Sequence, residues 1–193
     1  MNFREHVIDR IVNRLNELLI EDKLQRQSGP TSDIFYLIPN TGYQAPLRSI
    51  VTEPIEVTAA GITKVGPEPI AQVTFDGGTN DGELDTQLSH IVETLGVTID
   101  IVLNKNIGVK QLDQVGKDQV RPLTYQVSDL LNDIQTLINK DSMASSVNDP
   151  VNDLILHDFY LEEWGFNEDY LGNVQYNILT LLFQSVIAHN PTS

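Results

Sequence analysis

Near the start of this 193-residue chain, apolar residues recur every three or four positions. Phe3, Val7, Ile8, Ile11, Leu15, Leu18 and Leu19 form one stripe, and Arg4, Asp9, Arg10, Asn13, Arg14 and Asn16 fill much of the remainder. That spacing predicts one amphipathic helix over roughly residues 2–21. "QRQSGPTSD" breaks the pattern at Gly29 and Pro30. Short β-prone runs follow: "IFYLI" (34–38), "PLRSIVT" (46–52), "PIEVTAA" (54–60) and "IAQVTF" (70–75). The prolines among them place several at sheet edges or in extended loops.

The cleanest strand lies in "LGVTIDIVLNK". Leu95, Val97, Ile99, Ile101 and Leu103 alternate with Gly96, Thr98, Asp100, Val102 and Asn104. After a polar loop, "PLTYQVSDLLNDIQTLINK" carries the stripe Val127, Leu130, Leu131, Ile134, Leu137 and Ile138, a second helix opened by Pro122. "DSMASSVNDP" reads as a linker. "NDLILHDFYLEEW" (152–164) and "NVQYNILTLLFQSVIAH" (173–189) read as two closing strands, with "GFNEDYLGN" as the turn between them. The second half of 173–189 also fits a helical spacing, but its first half is poor helix material and favours strand.

This order predicts an α+β fold: a mostly antiparallel sheet, two principal helices packed on one face, and a long β-hairpin. No repeat or composition shift divides the chain. It reads as a single α+β domain over 1–193, with 33–87 an irregular β region that includes the extended hairpin.

Between "IAQVTF" and the clean strand stands "TFDGGTNDGELDTQ". Its residues 76–85 hold four acids and three glycines. Gly-Gly and Asp-Gly pairs form turns because they tolerate positive φ, so a hairpin tip is the first reading. An EF-hand frame counted from Asp76 puts Gly78 third, Asp81 sixth and Gln87 twelfth, and so fails. None of the four histidines, His6, His90, His157 and His189, stands three or four residues from another, which excludes a helical zinc pair. His157 beside Asp158 would point to the opposite face of a strand. There is no Gly-x-Ser-x-Gly elbow, no Walker loop (Pro67 stands where its lysine belongs) and no Gly-x-Gly-x-x-Gly fingerprint.

Charge narrows the partners. Twelve bases against 27 acids give a formal net charge of -15, which repels nucleic acid and anionic membrane and favours cations or basic protein faces. The absence of cysteine removes disulfides, thiolate zinc sites and cysteine nucleophiles. Arg4, Glu5, Asp9 and Arg10 interrupt any signal-peptide core, and no run approaches the ~20 apolar residues of a membrane span. The expectation is a soluble protein made in the cytosol.

The order of elements resembles the tail terminator (tail completion or neck) proteins of tailed bacteriophages. The resemblance runs through the opening helix "NFREHVIDRIVNRLNELL", the acidic hairpin, the strand "LGVTIDIVL", the helix "TYQVSDLLNDIQTLI" and the closing strands "LILHDFYLEEW" and "VQYNILTLLFQSVIAH". Residues 33–75 and the hairpin are longer than that fold requires. The resemblance implies a non-enzymatic virion protein without cofactor or metal, assembled in the host cytoplasm. Six copies would form a ring that caps the tail tube and joins it to the head connector. Its partners would be sister subunits and tail tube, sheath or neck proteins. DNA would pass through without specific binding, kept from sticking by an acidic lumen. Edge strands would be satisfied by closure of the ring. Expected partner or lumen contacts are Asp76, Asp81, Glu83 and Asp85 on the hairpin and Trp164, Phe166 and Tyr170 in the closing turn. Alternatives of other classes are a small-molecule- or calcium-binding module, or a hydrolase using acid pairs such as Glu162–Glu163 and Glu168–Asp169. Within the virion class the alternative is a head–tail connector or baseplate component.

Overall fold

The structure is a computed structural model. It describes residues 2–18, 36–38, 42–44, 47, 49–55, 57–58, 61–62, 70–80, 91–104, 110–112, 118–120, 123–149, 154–171 and 173–189. Three helices are described: α1 (Phe3–Leu15), α2 (Leu123–Leu137) and α3 (Lys140–Val147). The strands are β1 (Tyr36–Ile38), β2 (Gly42–Gln44), β3 (Ser49–Val51), β4 (Val57–Thr58), β5 (Gly61–Ile62), β6 (Ile70–Asn80), β7 (Ile91–Asn104), β8 (Lys110–Leu112), β9 (Asp118–Val120), β10 (Ile155–Leu171) and β11 (Val174–His189).

The principal sheet has five strands in the order β10-β11-β7-β6-β3, all antiparallel except β3, which lies parallel to β6. β7 and β11 are its centre, and their register sets Ile101 against Leu179, Ile99 against Leu181, and Val97 against Phe183. All six are essentially inaccessible to solvent. Directly opposed residues point to one side, so odd-numbered positions 97–101 of β7 and 179–183 of β11 form one continuous apolar face. The polar alternates Thr98, Asp100, Thr180 and Gln184 take the other face. There the Thr180 hydroxyl donates to Asp100 Oδ1 at 2.6 Å.

The helices cover the odd face. Phe3, Val7, Ile8, Ile11 and Leu15 of α1, Val127, Leu130, Leu131 and Ile134 of α2, and Met143 and Val147 of α3 share one cluster with the strand residues. The Asn2 side chain caps α1 by accepting from the Arg4 amide. A 3-10 turn, Asn16–Leu18, ends it, and the Leu18 carbonyl accepts from the Leu47 amide. The α+β class with a mostly antiparallel sheet is therefore as the sequence reads.

Three local readings are corrected. "DSMASSVN" forms α3, because Asn139 and Ser142 make a reciprocal capping box that stabilises a new helix start. Part of the polar loop after β7 forms β8 and β9, which pair with each other and, through β1, with β2 in a four-stranded sheet. "GFNEDYL" is strand, since each residue from Gly165 to Leu171 faces a partner between Val174 and Thr180.

The glycine pair after Asp76 is also in a strand. β6 stays paired to β7 through Asn80, with a bulge between Phe75 and Gly77. Gly77 sits at φ 121°, where a side chain is strained, and a Cβ on Gly78 would lie 3.0 Å from both Leu95 Cδ2 and Thr94 O. These glycines serve a bulge and a close approach. The connection from β6 to β7, residues 81–90, lies outside the described residues.

Candidate interaction surface

β10 is the outer strand of the principal sheet and, at 17 residues, its longest. It has two halves. The first half is closed. α3 packs on it, and Asp149 and Leu154 exchange backbone hydrogen bonds of 2.9 and 3.0 Å that fix the path from helix to strand. The Leu156 amide donates to Asn148 Oδ1 at 2.7 Å. Leu156 and Phe159 are buried, and Phe159 stacks on Phe183 with centroids 5.3 Å apart.

A bulge near His157 and Asp158 turns the Asp158 carboxylate to Lys140 Nζ at 3.2 Å and to the Phe159 amide at 3.0 Å. The Lys140 hydrogen bond, with that amide, holds the Asp158 carboxyl below its ordinary value. His157 is exposed, and Asp158 engages Lys140 and a backbone amide.

The second half is open. Trp164 and Phe166 oppose Leu181 and Leu179, so they lie on the helix-side face, and Tyr170 follows in the same alternation. The helical layer does not reach them fully. Trp164 is 52% and Tyr170 66% exposed, while Phe166 is half-buried against the core. Four of the five large exposed hydrophobics among the described residues are on β10: Ile155, Tyr160, Trp164 and Tyr170. Around them stand Glu162, Glu163, Glu168 and Asp169, all exposed. Glu162 Oε2 accepts from Gln184 Nε2 at 2.6 Å, and Asp169 Oδ1 accepts from the Tyr170 amide at 2.7 Å.

The three aromatics expected in a turn are thus brought together on one face of an edge strand. Asp76 is exposed on the far part of β6, and Asp81, Glu83 and Asp85 lie outside the described residues. Among the described residues no group of three or more histidines and acids is placed to hold a metal ion. Among them, too, no helix is long and apolar enough to cross a membrane.

No sequence pattern announces a part-buried polar cluster at the start of α1. Arg4 Nε and Nη2 donate to Glu93 Oε1 at 2.9 and 2.6 Å, and Glu93 Oε2 lies 3.6 Å from His189 Nε2. The His189 ring stacks on Phe3 at 3.9 Å, with the Arg4 guanidinium 5.0 Å from the Phe3 centroid. Glu93 and His189 are both buried. The cluster ties the start of α1 to β7 and β11, and the guanidinium compensates a carboxylate taken out of water. Its members are 89 and 96 positions apart, so no spacing in the sequence announces it.

Toward the opposite edge of the sheet, a groove of about 290 Å³ lies between α1 and β6, lined by Glu5, Ile8, Asp9, Thr52, Val73, Thr74 and Phe75. It sits where β3, paired only to Ile70–Gln72, leaves the rest of β6 without that neighbour. Its polar lining is two carboxylates and two threonines. Compared with known proteins, the chain matches no family model, and no curated protein is similar enough to count as a relative.

Proposed function

We propose that this chain is a non-enzymatic assembly protein of the tail terminator or neck type. Six copies close into a ring that caps a tail tube and presents a surface to the connector above it. The observation that carries the reading is the open half of β10, which offers Trp164 and Tyr170 to solvent on the strand that is outermost in the principal sheet among the described residues. Exposed tryptophan and tyrosine are typical anchors of protein–protein contacts. A flat edge engages another chain better than it encloses a small molecule. The order of elements and the net charge of -15 support the same reading, since an acidic ring lets DNA pass without holding it. In this role the protein acts by shape and association, and no residue carries chemistry.

The test is the assembled state of the purified protein. Sedimentation and negative-stain imaging should show a hexamer of 21.6 kDa subunits with a central hole. A monomer at every concentration, with and without a tail tube protein, counts against the ring.

A further inference from the structure

We propose that Asp76 is a modification site: with Gly77 it closes a succinimide ring and reopens as isoaspartate within the folded chain, with no second protein required. The proposal stands whether or not the chain forms a ring.

An aspartate followed by glycine can react with its own backbone, because glycine has no side chain to shield the attacking nitrogen. The Gly77 nitrogen attacks Cγ of the neutral Asp76 carboxyl and forms an N–Cγ bond. The hydrogen on that nitrogen and the carboxyl hydroxyl leave together as water. Water then adds to either carbonyl of the ring. Breaking the new N–Cγ bond restores aspartate. Breaking the bond from nitrogen to the original Asp76 carbonyl carbon leaves the chain running through the side-chain methylene, one carbon longer, with the old carbonyl as a free carboxylate. The water released in the first step is balanced by the water consumed in the second, and nothing is oxidised or reduced.

A regular strand resists this closure, because its ladder holds the backbone extended. The bulge in β6 removes that restraint. The register passes from Phe75–Val97 directly to Gly77–Gly96, so Asp76 is the extra residue and has no partner across the ladder. Asp76 and Gly77 are both exposed, and nothing lies within 4 Å of where a Cβ on Gly77 would stand. Other aspartates are held. Asp100 Oδ1 accepts from the Thr180 hydroxyl in the middle of the sheet. The amides of Phe159 and Tyr170 donate to the aspartates that precede them, and both residues add bulky rings. Asp141 is the closest control, since small Ser142 follows it. There the Ser142 amide donates to Asn139 Oδ1 at 2.9 Å inside the capping box, and a nitrogen whose hydrogen is engaged gives it up less readily. Beyond the bulge, Gly77, Gly78, Thr79 and Asn80 pair with Gly96, Leu95, Thr94 and Glu93. An added backbone carbon at position 76 shifts those pairs and leaves the start of β6 in place.

The test uses the full chain carrying Asp81→Glu, which leaves Asp76–Gly77 as its sole Asp-Gly pair. The chain is kept for several weeks at physiological temperature and neutral pH in heavy-oxygen water, folded in one sample and unfolded by urea in another. Peptide mapping of the folded sample should find a second form of the Asp76 peptide that carries one heavy oxygen and is labelled by an isoaspartate methyltransferase. Electron-transfer fragmentation should place the isomer at position 76. Its rate should lie within about tenfold of the rate in urea, as expected of a site that needs little local opening. Asp141 should convert in urea and stay unchanged in the folded chain. Asp76→Glu, whose ring would need one more atom, should lose the signal while its far-UV spectrum is unchanged. Conversion of Asp76 in urea but not in the folded chain would show that the bulge protects the site, and overturns the proposal. So does an absence of conversion in both samples. Equal conversion of Asp76 and Asp141 in the folded sample would mean that the product arises from unfolded molecules, and also overturns it.

Discussion

The two halves of β10 share one backbone and one neighbour, with a register shift between Leu161 and Glu163 where they meet, and they face different surroundings. Residues before Leu161 send Leu156 and Phe159 into the core, receive α3 on top, and have edge contacts from Asn148 and Lys140. Residues after Leu161 leave the helices behind and carry aromatics and acids into solvent. The pairing partner alone therefore does not decide whether a strand is buried. The layer laid over it does, and here that layer ends partway along.

Substitutions can break this contrast. Phe159→Ala removes a buried ring stacked on Phe183 and should cost about 3–5 kcal/mol, lowering the melting temperature by roughly 10 °C in a thermal scan. Asn148→Ala takes away the acceptor of the Leu156 amide and should cost about 1 kcal/mol, read from the urea midpoint. Trp164→Ala, in the open half, should change stability by no more than about 0.5 kcal/mol in the same thermal scan. If Trp164→Ala proves as costly as Phe159→Ala, the open half is part of the core.

The smallest effect is confined to acid. Asp158 has its carboxyl held below its ordinary value in the folded chain, so its contribution is present above the ordinary carboxylate value and is lost as pH falls through the depressed one. Lys140→Met should let that carboxyl titrate higher, as followed by NMR of the side chain. The two proteins should differ near neutral pH and converge in strong acid.

Much of the molecule was legible where local pattern and tertiary pairing agree. The stripe of α1 and the alternation of β7 are complete in the sequence, and the structure follows both. In β11 the first half decides the second, since the ladder to β7 continues without a break from Tyr176 to His189. "GFNEDYL" misleads because Gly165, Asn167 and Asp169 prefer turns, yet the ladder to β11 runs through all of it to the Leu171–Val174 pair. Pairing with β11 overrides composition there. α3 was hidden because its serines look like linker, although the Asn139–Ser142 capping box is a readable start. At the candidate surface, the sequence supplied the aromatics Trp164, Phe166 and Tyr170. It could not supply their common face, which depends on the strand continuing, or the end of the helical cover.

Amide hydrogen exchange along β10 tests the contrast between its halves most directly. Amides from Glu163 to Asn167 should exchange faster than those at Leu156 and Phe159, which lie under α3 and its edge contacts. Equal protection of both halves would contradict that contrast.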